Sequence, residues 1–239
     1  MADPEIEGWE ELPEWQRVHR GLGIVYAAML GGVLLSIAIG AATFFSSPEG
    51  RLAALLRVAP ILELALLAVG TFGAWRATAV SPAVGARRLL RAAVAAGVMA
   101  CIIKAILLGQ GVGTSLEALF EKRILVSGGG FATPLGDVAS SLAPISLLAG
   151  LAVAAPRLGA PRLATTALVA IAVLVVALFT QLGGALSPSA GAEWFLGSLG
   201  LTTFVPRVVG LALALTAVAA FRTHLLAGTL ESNQGRVPK

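Results

Sequence analysis

Cysteine occurs once, tyrosine once and histidine twice in 239 residues, and charged residues make up only 13% of the chain. One thiol, Cys101, excludes an intrachain disulfide and a thiolate metal cage. His19 and His224 flank the first and last apolar stretches, which rules out bis-histidine haem ligation across a bundle and a serine–histidine dyad deep in a membrane. The triple glycine Gly128 to Gly130 is not followed by Gly-Lys-Ser/Thr, so it is no phosphate loop. An intramembrane aspartyl dyad needs two carboxylates at one site; Leu135-Gly136-Asp137 supplies one, and Glu63 is a remote second. The sequence therefore predicts no catalytic residue, no metal ligand set and no cofactor. The shortage of charge also excludes a soluble domain, which at this size needs far more polar surface.

What the chain does contain is apolar length. Hydrophobic residues make up 57% of it and its mean hydropathy is +0.88. Six stretches reach the roughly 20 residues that cross a hydrocarbon layer of about 30 Å. They run from about residues 22 to 45, 58 to 75, 89 to 109, 138 to 155, 163 to 183 and 204 to 221. The fold class is all-α: a polytopic bundle of six transmembrane helices, with residues 1–21 as an acidic arm and 222–239 as a polar tail. Pro60 and Pro144 are expected to kink the second and fourth spans. Between spans three and four, Leu116, Leu119, Phe120 and Ile124 share one face opposite Glu117, Glu121 and Lys122, as in a short amphipathic helix on the membrane surface. Residues 187–201, with Glu193, Trp194 and Phe195, suggest a further short interfacial element.

Charge sets the orientation. Residues 1 to 14 carry six acids and no base, the reverse of a cleavable signal. Of the seventeen basic residues, eleven fall on the side of the termini and five on the other, with Arg207 inside the sixth span. Both termini are thus expected in the cytoplasm. The net charge of +4 is read as membrane anchoring, because the arginines flank apolar spans, and nucleic acid is not an expected partner. Arginine supplies fourteen of the seventeen bases alongside heavy use of Ala, Leu and Gly, which points to a GC-rich bacterial genome and an inner-membrane location.

Lipid gives helices no hydrophobic reason to associate, so small residues that let backbones approach must do so. Span one carries Ala28, Gly32, Ser36 and Gly40 at four-residue spacing. Span three carries Ala93, Gly97, Cys101, Ala105 and Gly109, and span six a shorter row, Gly210, Ala214 and Ala217. Leucine at Gly32 or Gly97 is expected to loosen the bundle.

Charged residues inside a bilayer are costly and mark function by default. With alternate crossings, Glu63, Lys104, Asp137 and Arg207 fall within roughly 8 Å of the non-cytoplasmic boundary, each from a different helix, with Gln110 and Gln181 at a similar level. Lys104 and Arg207 can snorkel to headgroups. Glu63 is too short for that and has to find a partner, Arg207 or Lys104, or give up its charge. The function expected is a non-enzymatic accessory or assembly subunit that binds lipid and other subunits or copies of itself. The alternative is a small transporter or channel with this polar layer on its path. A water-filled vestibule reaching Glu63 favours the second; a dry bundle favours the first.

Overall fold

The computed structural model describes residues 13–45, 52–81, 84–109, 132–186 and 192–234, and the side chains of 14–38, 58–81, 84–109, 135–136, 138–180 and 205–227. Six helices account for nearly all of this: α1 Pro13–Phe45, α2 Leu52–Ala77, α3 Arg87–Gly109, α4 Ala132–Arg157, α5 Pro161–Leu186 and α6 Ala192–Gln234. Among the described residues there is no strand. All six are long and apolar enough to cross a membrane, so the chain is a multi-pass helical bundle. The expected surface helix at residues 114–125 lies outside the described residues.

Each helix packs on its neighbours in sequence and α6 closes back on α1, with α4 leaning inward to touch α6 and α2. Glycine contacts fix the registers. Gly150 and Gly136 of α4 meet Leu90 and Ile103 of α3, so one helix climbs as the other descends. Gly210 of α6 packs on Leu174 of α5, and Ala214 and Ala217 behind it are buried.

The apolar core is concentrated at the end of the bundle that holds the α2–α3 and α4–α5 turns. Trp15, Val18, Leu22 and Val25 form a stripe down α1 that joins Ala74, Ala77 and Val80 with Leu148, Phe221 and Leu225. This stripe explains why α1 starts at Pro13, well ahead of the expected Leu22. Three- and four-residue spacing turns Trp15 and Val18 inward, while Glu14, Arg17 and Arg20 stay exposed. Residues 13–21 thus belong to the bundle, and Trp15 is a core residue. Trp75 is the exposed aromatic at a span end, 5.8 Å from the Phe72 ring. The helices continue through Pro60 and Pro144, and α6 is continuous across Pro206, so residues 192–201 belong to the same helix as the sixth span.

The α4–α5 turn shows how the chain stops one helix and starts the next. Ala160 N–H donates to Ala155 O (2.9 Å) and Gly159 N–H to Pro156 O (3.2 Å), the paired bonds of a Schellman cap. Gly159 takes the left-handed conformation this cap needs (φ 72°) and Pro161 opens α5. His224 of α6 ties the turn down, with Nε2 2.9 Å from the Leu158 carbonyl. Gly159→Ala is expected to cost roughly 1–2 kcal/mol, the penalty of a Cβ in the left-handed region. Thermal unfolding in detergent measures it; a melting temperature as high as that of Gly32→Ala, a helical position with open space, would contradict the assignment.

Candidate functional site

Beyond the apolar core the described residues leave a space between the helices. A cavity of about 170 Å³ lies among α1, α2, α3, α4 and α6, and among the described residues none of α5 lines it. Its floor is set by Val25, Ala74, Ala93 and Leu147, the upper edge of the apolar core. Along α2 it extends from Ala74 to Glu63, about 16 Å at helical rise. Leu66, Leu67 and Leu211 make the middle of the wall apolar. At the far end Glu63, Lys104 and Arg207 come together with Ser36 and Ser140.

The helix periodicity of α2 places these groups. Glu63, Leu67, Gly70, Thr71 and Ala74 recur at three- and four-residue spacing and so share one face. Lys104 reaches that face because α3 runs antiparallel to α2: Thr71 sits against Gly97 one stage lower, and the same register brings Lys104 level with Glu63. Lys104 Nζ donates to Glu63 Oε2 at 2.8 Å, a charge-assisted hydrogen bond and ion pair. The lysine side chain is 17% exposed and the carboxylate 33%, so both charges sit largely out of solvent. Arg207, from α6, lies within electrostatic reach of the same carboxylate. Asp137 lies in the first turns of α4, one helical turn before Ser140, and its side chain is outside those described, as are those of Gln110 and Gln181.

The row of small residues on α1 lines the cavity at Ala28, Gly32 and Ser36, and Ala28 is also buried against Gly70. A Cβ at Gly32 would meet nothing within 4 Å, so no described atom packs where that Cβ would sit. The close approach of α1 to α2 occurs at Gly21 and Gly73, which the four-residue spacing missed. Gly40 is helical within α1, with its surroundings outside the described residues. Gly97 packs closely against the Thr71 side chain, and Cys101, one helical turn on, is half-buried. Thr71 and Ser140 are lining residues that sequence reasoning passed over. The signal for Thr71 was its spacing from Glu63, eight residues along one helix face.

At the opposite end, arginines crowd the core. The Arg222 guanidinium stands 5.8 Å over the Tyr26 ring and closes against Gly23. Among the described residues no group of three or more His, Cys, Asp or Glu could hold a metal ion. Chemically, the cavity offers an apolar slot with an ion pair and a second cation at one end, inside the membrane spans. No protein-family model, no curated protein and no solved structure matches this chain.

Proposed function

We propose that this protein is a small carrier of the bacterial inner membrane that takes a solute into the cavity among α1, α2, α3, α4 and α6, with both termini in the cytoplasm. The observation that carries the reading is the position of the Glu63–Lys104 pair: it lies inside two spans and lines a cavity. Ionisable groups in that setting mark solute or ion paths. An accessory subunit needs no such space, and the exposed apolar side chains of the helices, such as Met99, Ile102 and Phe179, are what any lipid-facing helix presents. The plugged floor favours a carrier over an open channel. Beneath the cavity Leu22, Leu148, Val218 and Phe221 are buried, so passage requires the core end of the bundle to part.

Orientation follows from the positive-inside bias and places the polar end of the cavity on the non-cytoplasmic side. Cysteine accessibility tests both statements. In a Cys101→Ser background, Ser36→Cys is expected to react with a membrane-impermeant maleimide added outside intact cells. Ala170→Cys, fully buried between helices, is expected to stay unlabelled. Equal protection of the two positions would mean a sealed, dry cavity and would end the carrier reading.

A further inference from the structure

Independently of the carrier reading, we infer that the seam between α1 and α6 at the core end of the bundle seats the phosphodiester headgroup of an anionic phospholipid, with Arg222 as the residue that receives it. Arg222 lies five residues before the end of the sixth span and His19 five residues after the start of the first, so both sit about 8 Å inside their span ends at helical rise. Arg17, Arg20, Arg88 and Arg91 at the same end are exposed, whereas Arg222 folds onto α1 and is half-buried. His19, Gly23 and Tyr26, at four- and three-residue spacing, form the face it meets. A Cβ at Gly23 would stand 3.3, 3.4 and 3.6 Å from Arg222 Nη2, Cζ and Nε, so the flat guanidinium lies against bare backbone. The Tyr26 ring, 5.8 Å from Cζ, helps to hold it there, and the planar fork is thereby oriented.

What the fork lacks is a counter-charge. Among the described residues Arg222 makes no ion pair, and the one that exists, Lys104 with Glu63, is at the other end of the spans. Arg222 Nε and His19 Nε2 are buried with no hydrogen-bond partner, while the terminal nitrogens of the guanidinium are not sealed. Arg222 and Arg20 both lie within electrostatic reach of His19, so the seam gathers positive potential. Charge held inside a span is costly until it is paired. The acids of the chain are too few to do so throughout this end: with every residue of the sequence counted, eleven bases meet seven acids on the side of the termini. An anion from outside the chain completes the seam, and between two membrane helices at this depth a lipid phosphate supplies it. A phosphodiester accepts both N–H groups of an arginine fork.

Melting temperatures of the full chain in a neutral detergent test the assignment, with phosphatidylglycerol, phosphatidylcholine and inorganic phosphate added in separate arms. Phosphatidylglycerol is expected to raise the melting temperature by roughly 4 °C or more above phosphatidylcholine, the gain from a saturating ligand of the folded state. Inorganic phosphate is expected to give no shift. Arg222→Met is expected to erase the difference between the lipids, and Arg222→Lys, which keeps the charge without the fork, to retain less than half of it. Arg88→Gln removes an exposed charge at the same end and is expected to leave the difference whole. A variant carrying Asp3→Asn, Glu5→Gln, Glu7→Gln, Glu10→Gln and Glu11→Gln is expected to leave it whole as well. Equal melting in the two lipids, a full shift with inorganic phosphate alone, or equal losses in Arg88→Gln and Arg222→Met would overturn the inference. So would a difference that emerges only in the arm variant, since the acidic arm would then be the occupant. If Arg222→Met does not fold, an undiminished difference in Arg222→Lys overturns the assignment in its place.

Discussion

Lys104→Met is expected to destabilise the folded bundle by about 3–5 kcal/mol, because it strands the Glu63 carboxylate without its partner inside the spans. Most of that cost is the penalty of an uncompensated charge rather than the value of the ion pair. The pair itself is a near-balance between Coulombic attraction and lost hydration. The Glu63 side chain keeps one third of its exposure, which moves the expected cost toward the lower figure. Two companion variants separate these contributions. Glu63→Gln strands Lys104, whose longer stem lets its ammonium move toward the headgroups, so it is expected to cost less than Lys104→Met. Glu63→Met with Lys104→Met removes both charges and is expected to recover most of the lost stability, since apolar replacement of a buried pair is often neutral. Unfolding free energies for the two single variants and the double variant close a double-mutant cycle. A double variant no more stable than Lys104→Met would show that the two groups are not coupled and that their 2.8 Å contact has no energetic meaning.

Depth in this protein is readable from sequence, and direction is not. Helical rise fixes how far Glu63, Lys104 and Arg207 lie from their span ends, because a membrane helix has little freedom along its axis. Which way each points depends on rotation about that axis, and apolar residues on every side of a lipid-facing helix leave that rotation unmarked. The choice between Lys104 and Arg207 as the partner of Glu63 therefore needed the α2–α3 register, seen in the Thr71 and Gly97 contact. The same ambiguity governs the glycines. Gly31 and Gly32 are adjacent, yet the first abuts Leu66 and the second faces empty space. The early start of α1 was written in Trp15, Val18 and Leu22, but charges interleaved with them hide the stripe from any reading based on uninterrupted apolar length. A six-helix fold survives all these ambiguities because backbone hydrogen bonding inside lipid leaves no other structure for such stretches.

Gly73→Leu is expected to be the most damaging substitution at any small residue of the bundle, costing about 3 kcal/mol or more and sharply lowering the yield of folded protein. A Cβ at Gly73 would stand 2.8 Å from both Gly21 O and Val25 N, and one at Gly21 would stand 2.7 Å from Gly73 O. These are backbone atoms of the facing helix, and a helix backbone cannot rotate aside as a side chain can. The two helices would have to separate along their crossing, losing the contacts of Leu22, Val25, Ala74 and Ala77 in the core. At Gly97 the obstacle is the Thr71 side chain, which can change rotamer after giving up its 2.7 Å bond to Leu67 O, so Gly97→Leu is expected to cost less. At Gly32 there is no obstacle at all. The expected order of melting temperatures in detergent is Gly32→Leu highest, then Gly97→Leu, then Gly73→Leu. If Gly32→Leu instead fell with Gly73→Leu, the hollow between α1 and α2 would be absent. The crossing at Gly21 and Gly73 thus sets a tight contact and a cavity along one pair of helices: contact at one end is close enough to hold them together where Gly32 leaves room.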